Sequence, residues 1–460
     1  MAGPQPSVPK KFLSFLPHRA KLLSGLSASV DSSTMNPGFL TTSGVDRNLP
    51  LQAIVDRRVL EVGKDDKQAK HPQLRGLRFA LVDLTEASKI ASPQFAGHRE
   101  TEQGGLGSMA KLACMYAAYQ LKFDLEELSR QKGLSAQQPL FDAARDIWND
   151  TQKPDVANKK VLFPSDPKIE LLGKLMQIDG IQVSVPRPFS SPDLEDMFTV
   201  VPASSGVVLR FKGSDRILVD PSVPGSPHQV TDEVKNYVAA FEHGNLDAVR
   251  KLSFAERMFL MIDNSDNPGA HACIENVSFL YIASSLWQSD IYSPLRGGGL
   301  WEGSTHDGAF RWQKPPVPRH NPKTDFVSAS AASVAALLTL MEQDRLVNPQ
   351  TCAGMRQLTS KKKTGFGSFT RSFFLEGLET ITSTLDRIHS KLGIGDFRND
   401  GAIVVRTVTD PSDFSKTKQI RYVATGFDDP TSDASLLHQL IVEFDKCIRE
   451  NNGLLSPSAP

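Results

Sequence analysis

Apolar residues fall into near-continuous runs toward the two ends of this chain and into helical stripes between them. The first run, Leu77, Phe79, Ala80, Leu81, Val82 and Leu84, predicts a strand over 77–84. A shorter one over 92–98 follows a turn, so the two predict a β-hairpin. Near the other end, residues 400–408 and 419–426 are apolar runs separated by a polar turn and predict two more strands. Stripes with a 3.6-residue period predict helices over 51–62, then after Gly107 (Leu112, Met115, Tyr116, Tyr119), and over 328–343 (Val334, Leu337, Leu338, Met341). Leu436, Leu437, Leu440, Ile441, Phe444 and Ile448 share one face of a closing helix over 435–450.

The middle of the chain is mixed. Short strands are predicted over 180–185, 197–201, 206–211 and 216–219, and helices over 235–241, 246–262 and 270–286. A polar linker spans 63–73 and a loop rich in Gly, Pro and His spans 296–322. No internal repeat is visible. The economical arrangement is of the α+β type. A mainly antiparallel sheet, built from 51–134 and 345–455, is flanked by helices. Residues 135–344 form an inserted, mainly helical lobe, with an extra short-strand insertion at about 150–230. Residues 1–50, rich in Ser, Pro, Gly and Lys, read as a flexible tail.

Lys+Arg and Asp+Glu are equal, 52 against 52, so net charge supplies no case for a nucleic-acid or anionic-membrane partner. No apolar stretch approaches the roughly 20 residues of a membrane span. Lys10-Lys11-Phe12-Leu13-Ser14-Phe15-Leu16 has the order of a secretory leader, but Pro17, His18 and Arg19 cut its apolar core short. No cleaved leader is therefore expected and a cytoplasmic location is favoured, with the periplasm or secretion as the alternative. Cys114, Cys273, Cys352 and Cys447 form no CxxC pair and are expected to be buried free thiols. The ten histidines show no ligand spacing, so no metal is expected, and no other cofactor is implied. His271 is expected to be packed or at the surface. Gly297-Gly298-Gly299 is followed by no Gly-Lys-Ser/Thr and is not read as a phosphate loop.

Candidate chemistry begins at Ser108 and Lys111, in Gly107-Ser108-Met109-Ala110-Lys111. An i, i+3 spacing puts a hydroxyl and an amine on one helical face, the minimum equipment for a self-activated serine nucleophile. Alone, the pair reads as a helix cap and a surface lysine. Ser265-Asp266-Asn267 and Lys391-Leu392-Gly393 then come in order; alone, the former is a turn and the latter says almost nothing.

S-x-x-K, S-D-N and K-T-G in that order are the signature of class A β-lactamases and penicillin-binding proteins. From about residue 51 to 450 the chain resembles the class A β-lactamase-like serine hydrolases, in motif order, in the hairpin before the serine helix and in the strands and helix after the last motif. The resemblance implies that Ser108 is the acylated nucleophile and Lys111 its proton acceptor. It makes Ser265 a relay to the leaving nitrogen, and has Asn267 brace Lys111 and donate to the substrate amide. Lys391 and Gly393 lie on the opposite wall, where Lys391 adds positive potential near a substrate carboxylate. The backbone N–H groups of Ser108 and Ile394 hold the oxyanion.

Two departures from the family pattern qualify these implications. Leu392 replaces the hydroxyl residue of the third motif, which disfavours an anionic β-lactam and suits a neutral ester or amide. Glu302, in Gly299-Leu300-Trp301-Glu302-Gly303, lies on a suitable loop for the deacylation base, in surroundings unlike the family's. A literal K-T-G at Lys363-Thr364-Gly365 is set aside, because two strands and the closing helix come after Lys391 instead. The expected activity is hydrolysis of an amide or ester, a β-lactam among the candidates, in a small-molecule or peptide-like substrate; the oligomeric state is left open. The alternatives are a weak or inactive binding protein with Leu392 and the insertion shaping a new groove, and a D,D-peptidase-like penicillin-binding protein.

Overall fold

The computed structural model describes residues 37–41, 44–152, 191–215, 231–239, 245–293, 296–311, 326–361, 372–382, 385–395, 397–411, 413–428 and 434–457. The strands predicted over 180–185 and 216–219, and Lys363-Thr364-Gly365, lie outside them.

Two groups of strands far apart in the chain make one six-stranded antiparallel sheet. β1 (Arg78–Asp83) and β2 (Gln94–His98) form the hairpin expected near the N-terminal end. Three strands of two or three residues make a smaller sheet: β3 (Gly104–Gly105), β4 (Trp301–Glu302) and β5 (Val327–Ala329). β6 (Ser360–Lys361), β7 (Arg387–Ile394), β8 (Arg398–Asp410) and β9 (Asp413–Phe427) complete the large one. Its order is β6-β7-β8-β9-β1-β2, and that of the small sheet is β4-β5-β3.

The large sheet is buried on both faces, which is why its strands read as continuous apolar runs rather than as an alternation. Ala80, Val82, Ile403 and Val423 face one core, shared with α2 (Lys111–Lys132) and α7 (Ala331–Glu342). Phe79, Leu81, Val404, Tyr422 and Leu392 face a second core under α1 (Leu49–Arg58), α9 (Phe373–Glu379) and α10 (Ser435–Asn451).

Several boundaries differ from those expected. The helix predicted over 246–262 is two, α3 (Leu246–Arg250) and α4 (Phe254–Ile262), because Ser253 and Glu256 form a capping box that starts a new helix. The helix predicted over 270–286 is likewise two, α5 (Asn267–Val277) and α6 (Phe279–Gln288). Ser278 at φ +70° breaks the ladder and its side chain caps α6. Ser328 lies in β5, and the helix after it begins at Ala331, capped by Ser330. α8 (Pro349–Thr359) comes next. Residues 37–41 and 44–48, expected as part of a tail, pack on the fold: Phe39 is buried against Phe95, with ring centroids 4.5 Å apart. All four cysteines are free and buried. Among the described residues no helix is long and apolar enough to cross a membrane.

Candidate active site

Ser108 does not lie in the α-helix itself. Gly107–Ala110 form a single 3-10 turn that runs into α2 at Lys111. Gly107 takes φ +54°, and a Cβ there would sit 2.8 Å from the carbonyl oxygen of Ile394. Gly393 is pressed from the other side: its added Cβ would lie 2.0 Å from the Leu106 oxygen and 3.2 Å from the Met109 nitrogen. Two glycines thus let the end of β7 lie backbone to backbone against the serine turn. The stripe behind Ser108 is broader than expected. Ala113, Cys114, Ala117 and Ala118 are buried with Leu112, Met115 and Tyr116, while Tyr119 is only partly buried, so α2 is a central helix rather than an amphipathic one.

Lys111 is fully buried, and its ammonium has three acceptors: the Ser265 carbonyl at 2.5 Å, the Asp266 carbonyl at 3.2 Å and Asn267 Oδ1 at 2.8 Å. Burial pushes its pKa down to about 7, against the opposing fields of the Asp266 and Glu302 carboxylates. Asn267 is the first residue of α5. Asp266 caps that helix, its Oδ2 accepting from the Gly269 N–H at 2.7 Å, and Tyr237 donates to the same carboxylate at 3.2 Å.

Lys391 comes from β7, and its Nζ donates to Ser265 Oγ at 2.6 Å and to the Leu392 carbonyl at 3.2 Å. Ser265 therefore meets both lysines, one through its carbonyl and one through its hydroxyl. It does so at φ +58°, a left-handed conformation that an ordinary residue adopts at a cost of about 1–3 kcal/mol and that recurs at functional sites. Ser108 and Ser265 are half-buried, and Asn267 and Ile394 are exposed, so the cluster opens to solvent.

The small sheet brings Glu302 to the same region. β4 pairs with β5 and β5 with β3, three residues before Ser108, and the Leu106 N–H donates to the Val327 carbonyl at 3.2 Å. Glu302 is buried. Its Oε2 lies 2.9 Å from His306 Nε2, and its charge acts on Lys111.

One expectation is corrected by side-chain direction. Leu392 does not shape a groove. It is 3% exposed and points to the second core, because successive strand residues alternate faces. Its partner across the strands, Asp400, faces the same way and accepts from Ser372 Oγ at 2.7 Å and Ser390 Oγ at 2.8 Å. No hydrogen bond joins Ser108 Oγ to Lys111 Nζ, and among the described residues Ser108 Oγ bonds to no group. Sequence reasoning missed His306, Asp307 and the role of Gly107. The first two lie in an irregular loop with no periodic signal, whereas a glycine directly before the serine was in view. Among the described residues no group of three His, Cys, Asp or Glu side chains is placed to hold a metal.

No family model matches the chain, and no curated protein matches it. Solved structures similar to it include a β-lactamase from Sphaerobacter thermophilus, 12% identical, covering 89% of this chain and 99% of that one at a TM-score of 0.38. A class A β-lactamase from Bacteroides cellulosilyticus is 9% identical over 88% of this chain and 98% of its own, with a TM-score of 0.39. A penicillin-G acyl-enzyme complex of PBP-A is 12% identical over 88% and 98%, also at 0.39. Likeness this distant carries no residue and no reaction across; what the site can do rests on its own contacts.

Proposed function

We propose that the protein is a serine hydrolase of the β-lactamase-like kind, forming an acyl-enzyme at Ser108. The observation that carries this reading is the convergence of Lys111 and Lys391, from opposite walls, on Ser265. Ser108 Oγ attacks an ester or amide carbonyl while its proton passes to the neutral amine of Lys111. The C–O⁻ that forms is held by the backbone N–H groups of Ser108 and Ile394. As it collapses, the bond to the leaving nitrogen or oxygen breaks and that atom takes a proton through Ser265. In the second half, Glu302 removes a proton from water, whose oxygen attacks the acyl carbon; the bond from that carbon to Ser108 Oγ then breaks, and the proton held by Glu302 returns to Ser108 Oγ. Position 392 does not discriminate among acyl donors, because its side chain faces the second core rather than the site.

Labelling tests this directly. A fluorescent penicillin or a fluorophosphonate should leave an adduct on Ser108 that is absent in Ser108→Ala. Glu302→Gln should trap it while acylation stays nearly intact. A stable penicillin adduct without turnover in the unmodified protein would indicate a D,D-peptidase-like enzyme instead. One observation favours a binding protein on the same scaffold: the Lys111 amine is held by three acceptors and, among the described residues, Ser108 Oγ is bonded to none. The absence of any adduct with either probe class would decide for it.

A further inference from the structure

His271 is buried on α5, one turn beyond Asn267, and touches none of the reacting groups. It closes a row of alternating charges. On its own helix, Nε2 lies 3.3 Å from Glu275 Oε1, an ion-pair contact rather than an aligned hydrogen bond. Glu275 is held in turn by Arg250 of α3, whose two nitrogens reach its carboxylate at 2.6 and 3.1 Å. Across the gap, His271 Nδ1–H donates to Asp307, in the loop that follows β4, five residues beyond Glu302. The Phe310 ring lies perpendicular to the imidazole, with ring centroids 5.6 Å apart. Asp307 also organises the loop itself, accepting from Thr305 Oγ1 at 2.7 Å and from the Ala309 N–H at 3.0 Å.

We propose that His271 is a positioning residue: its imidazolium latches the loop that leaves β4 directly after Glu302, and whose His306 meets the Glu302 carboxylate, to the helix whose first residue holds Lys111, and so sets where Glu302 stands relative to the acyl-enzyme. This rests on Glu302 being the deacylating base. The latch is charge-dependent. Burial alone would lower the pKa of His271, but Glu275 and Asp307 outweigh it and hold the value above the ordinary 6.5. A raised value in the latched state means that the contribution is complete below the ordinary imidazole pKa and is lost as pH rises through the raised one.

The test tracks the loop and the chemistry separately. Hydrogen exchange at Thr305, Ala309 and Phe310, measured as protection factors from pH 6 to 9, should show protection falling with pH. Each unit of raised affinity for the proton appears as about a tenfold change in opening. His271→Gln keeps a donor but does not titrate, and should give pH-independent protection. Asp307→Asn, made on the partly exposed loop side, should do the same. In single-turnover experiments the unmodified protein should lose deacylation rate on the alkaline side, by about tenfold to a hundredfold if Glu302 shifts by an ångström. In His271→Gln that alkaline loss should vanish, with the acylation profile unchanged. Identical pH profiles of protection, or of deacylation, in the unmodified protein and His271→Gln would overturn the latch. A protein that forms no acyl-enzyme at all would overturn the hydrolase reading and the positioning role with it.

Discussion

Replacing Lys111 by arginine keeps a cation on a similar stem and removes the one property a base needs, the ability to be neutral near pH 7. The native lysine has that ability because burial lowers its pKa from 10.5 to about 7. The shift corresponds to about 5 kcal/mol of lost preference for the proton. At pH 7 about half of the amines are then neutral, against about one in 3000 for an unperturbed lysine. If the neutral amine accepts the Ser108 proton, the acylation rate constant should track that fraction. It should fall about fivefold from pH 7 to pH 6, fall about tenfold for each further unit, and rise less than about twofold above pH 7. The assay is rapid-quench intact-mass measurement of the Ser108 adduct formed by an activated ester whose own reactivity is flat over this range. Lys111→Arg should acylate at least about a hundredfold more slowly at every pH. The same depressed pKa makes a second demand on stability. Between 7 and 10.5 the unfolded chain binds a proton that the folded one has lost, so Lys111 contributes a rise in stability with pH across that window. A flat acylation profile, or wild-type acylation by Lys111→Arg, would refute the assignment of Lys111 as the base.

Two further substitutions test the packing that sets the site. Gly393→Ala places a methyl 2.0 Å from the Leu106 carbonyl oxygen. It should cost about 1–3 kcal/mol in denaturant unfolding and slow acylation by separating β7 from the serine turn. Gly76→Ala, with nothing within 4 Å of the new Cβ, is the control and should leave both nearly unchanged. Leu392→Thr restores the hydroxyl of the third motif on paper, but the residue faces the second core. Thermal and denaturant unfolding should show a loss of about 2–4 kcal/mol, and binding of a carboxylate-bearing substrate analogue should not tighten.

The parts of the fold legible in the sequence are those where burial and periodicity agree. The strand of Leu81 and Val82 has both faces covered, and the closing helix of Leu440 and Phe444 has one, and each carries the pattern its burial demands. Legibility fails where an apolar stripe runs through a break. Val277 and Phe279 are both buried, so the helix pattern continues across Ser278 although its backbone turns to positive φ. The β8–β9 ribbon is lost for another reason. β9 begins at Asp413, six residues before 419, and residues 414–417 are all exposed, leaving Phe414 bare, so no alternation marks that stretch.

The site divides along a similar line. Motif order pointed to Ser108, Lys111, Ser265, Asn267 and Lys391, and the last four of these are joined by hydrogen bonds, although each motif by itself describes only its local backbone. Ser265 illustrates the limit. The tripeptide suggests a turn before a helix, yet nothing in it says that its serine adopts φ +58° and so offers its carbonyl to one lysine and its hydroxyl to the other. That conformation is held from outside, by the Asp266 cap, by Tyr237 on the same carboxylate and by two lysines from separate elements. The latch of His271 and Asp307 is still less visible, since it joins a helix to an irregular loop and each residue alone is an ordinary polar side chain. Local chemistry is written in short stretches of sequence. The placing of one stretch against another is a property of the packed molecule, and here it is the placing of Ser265 that couples the two walls.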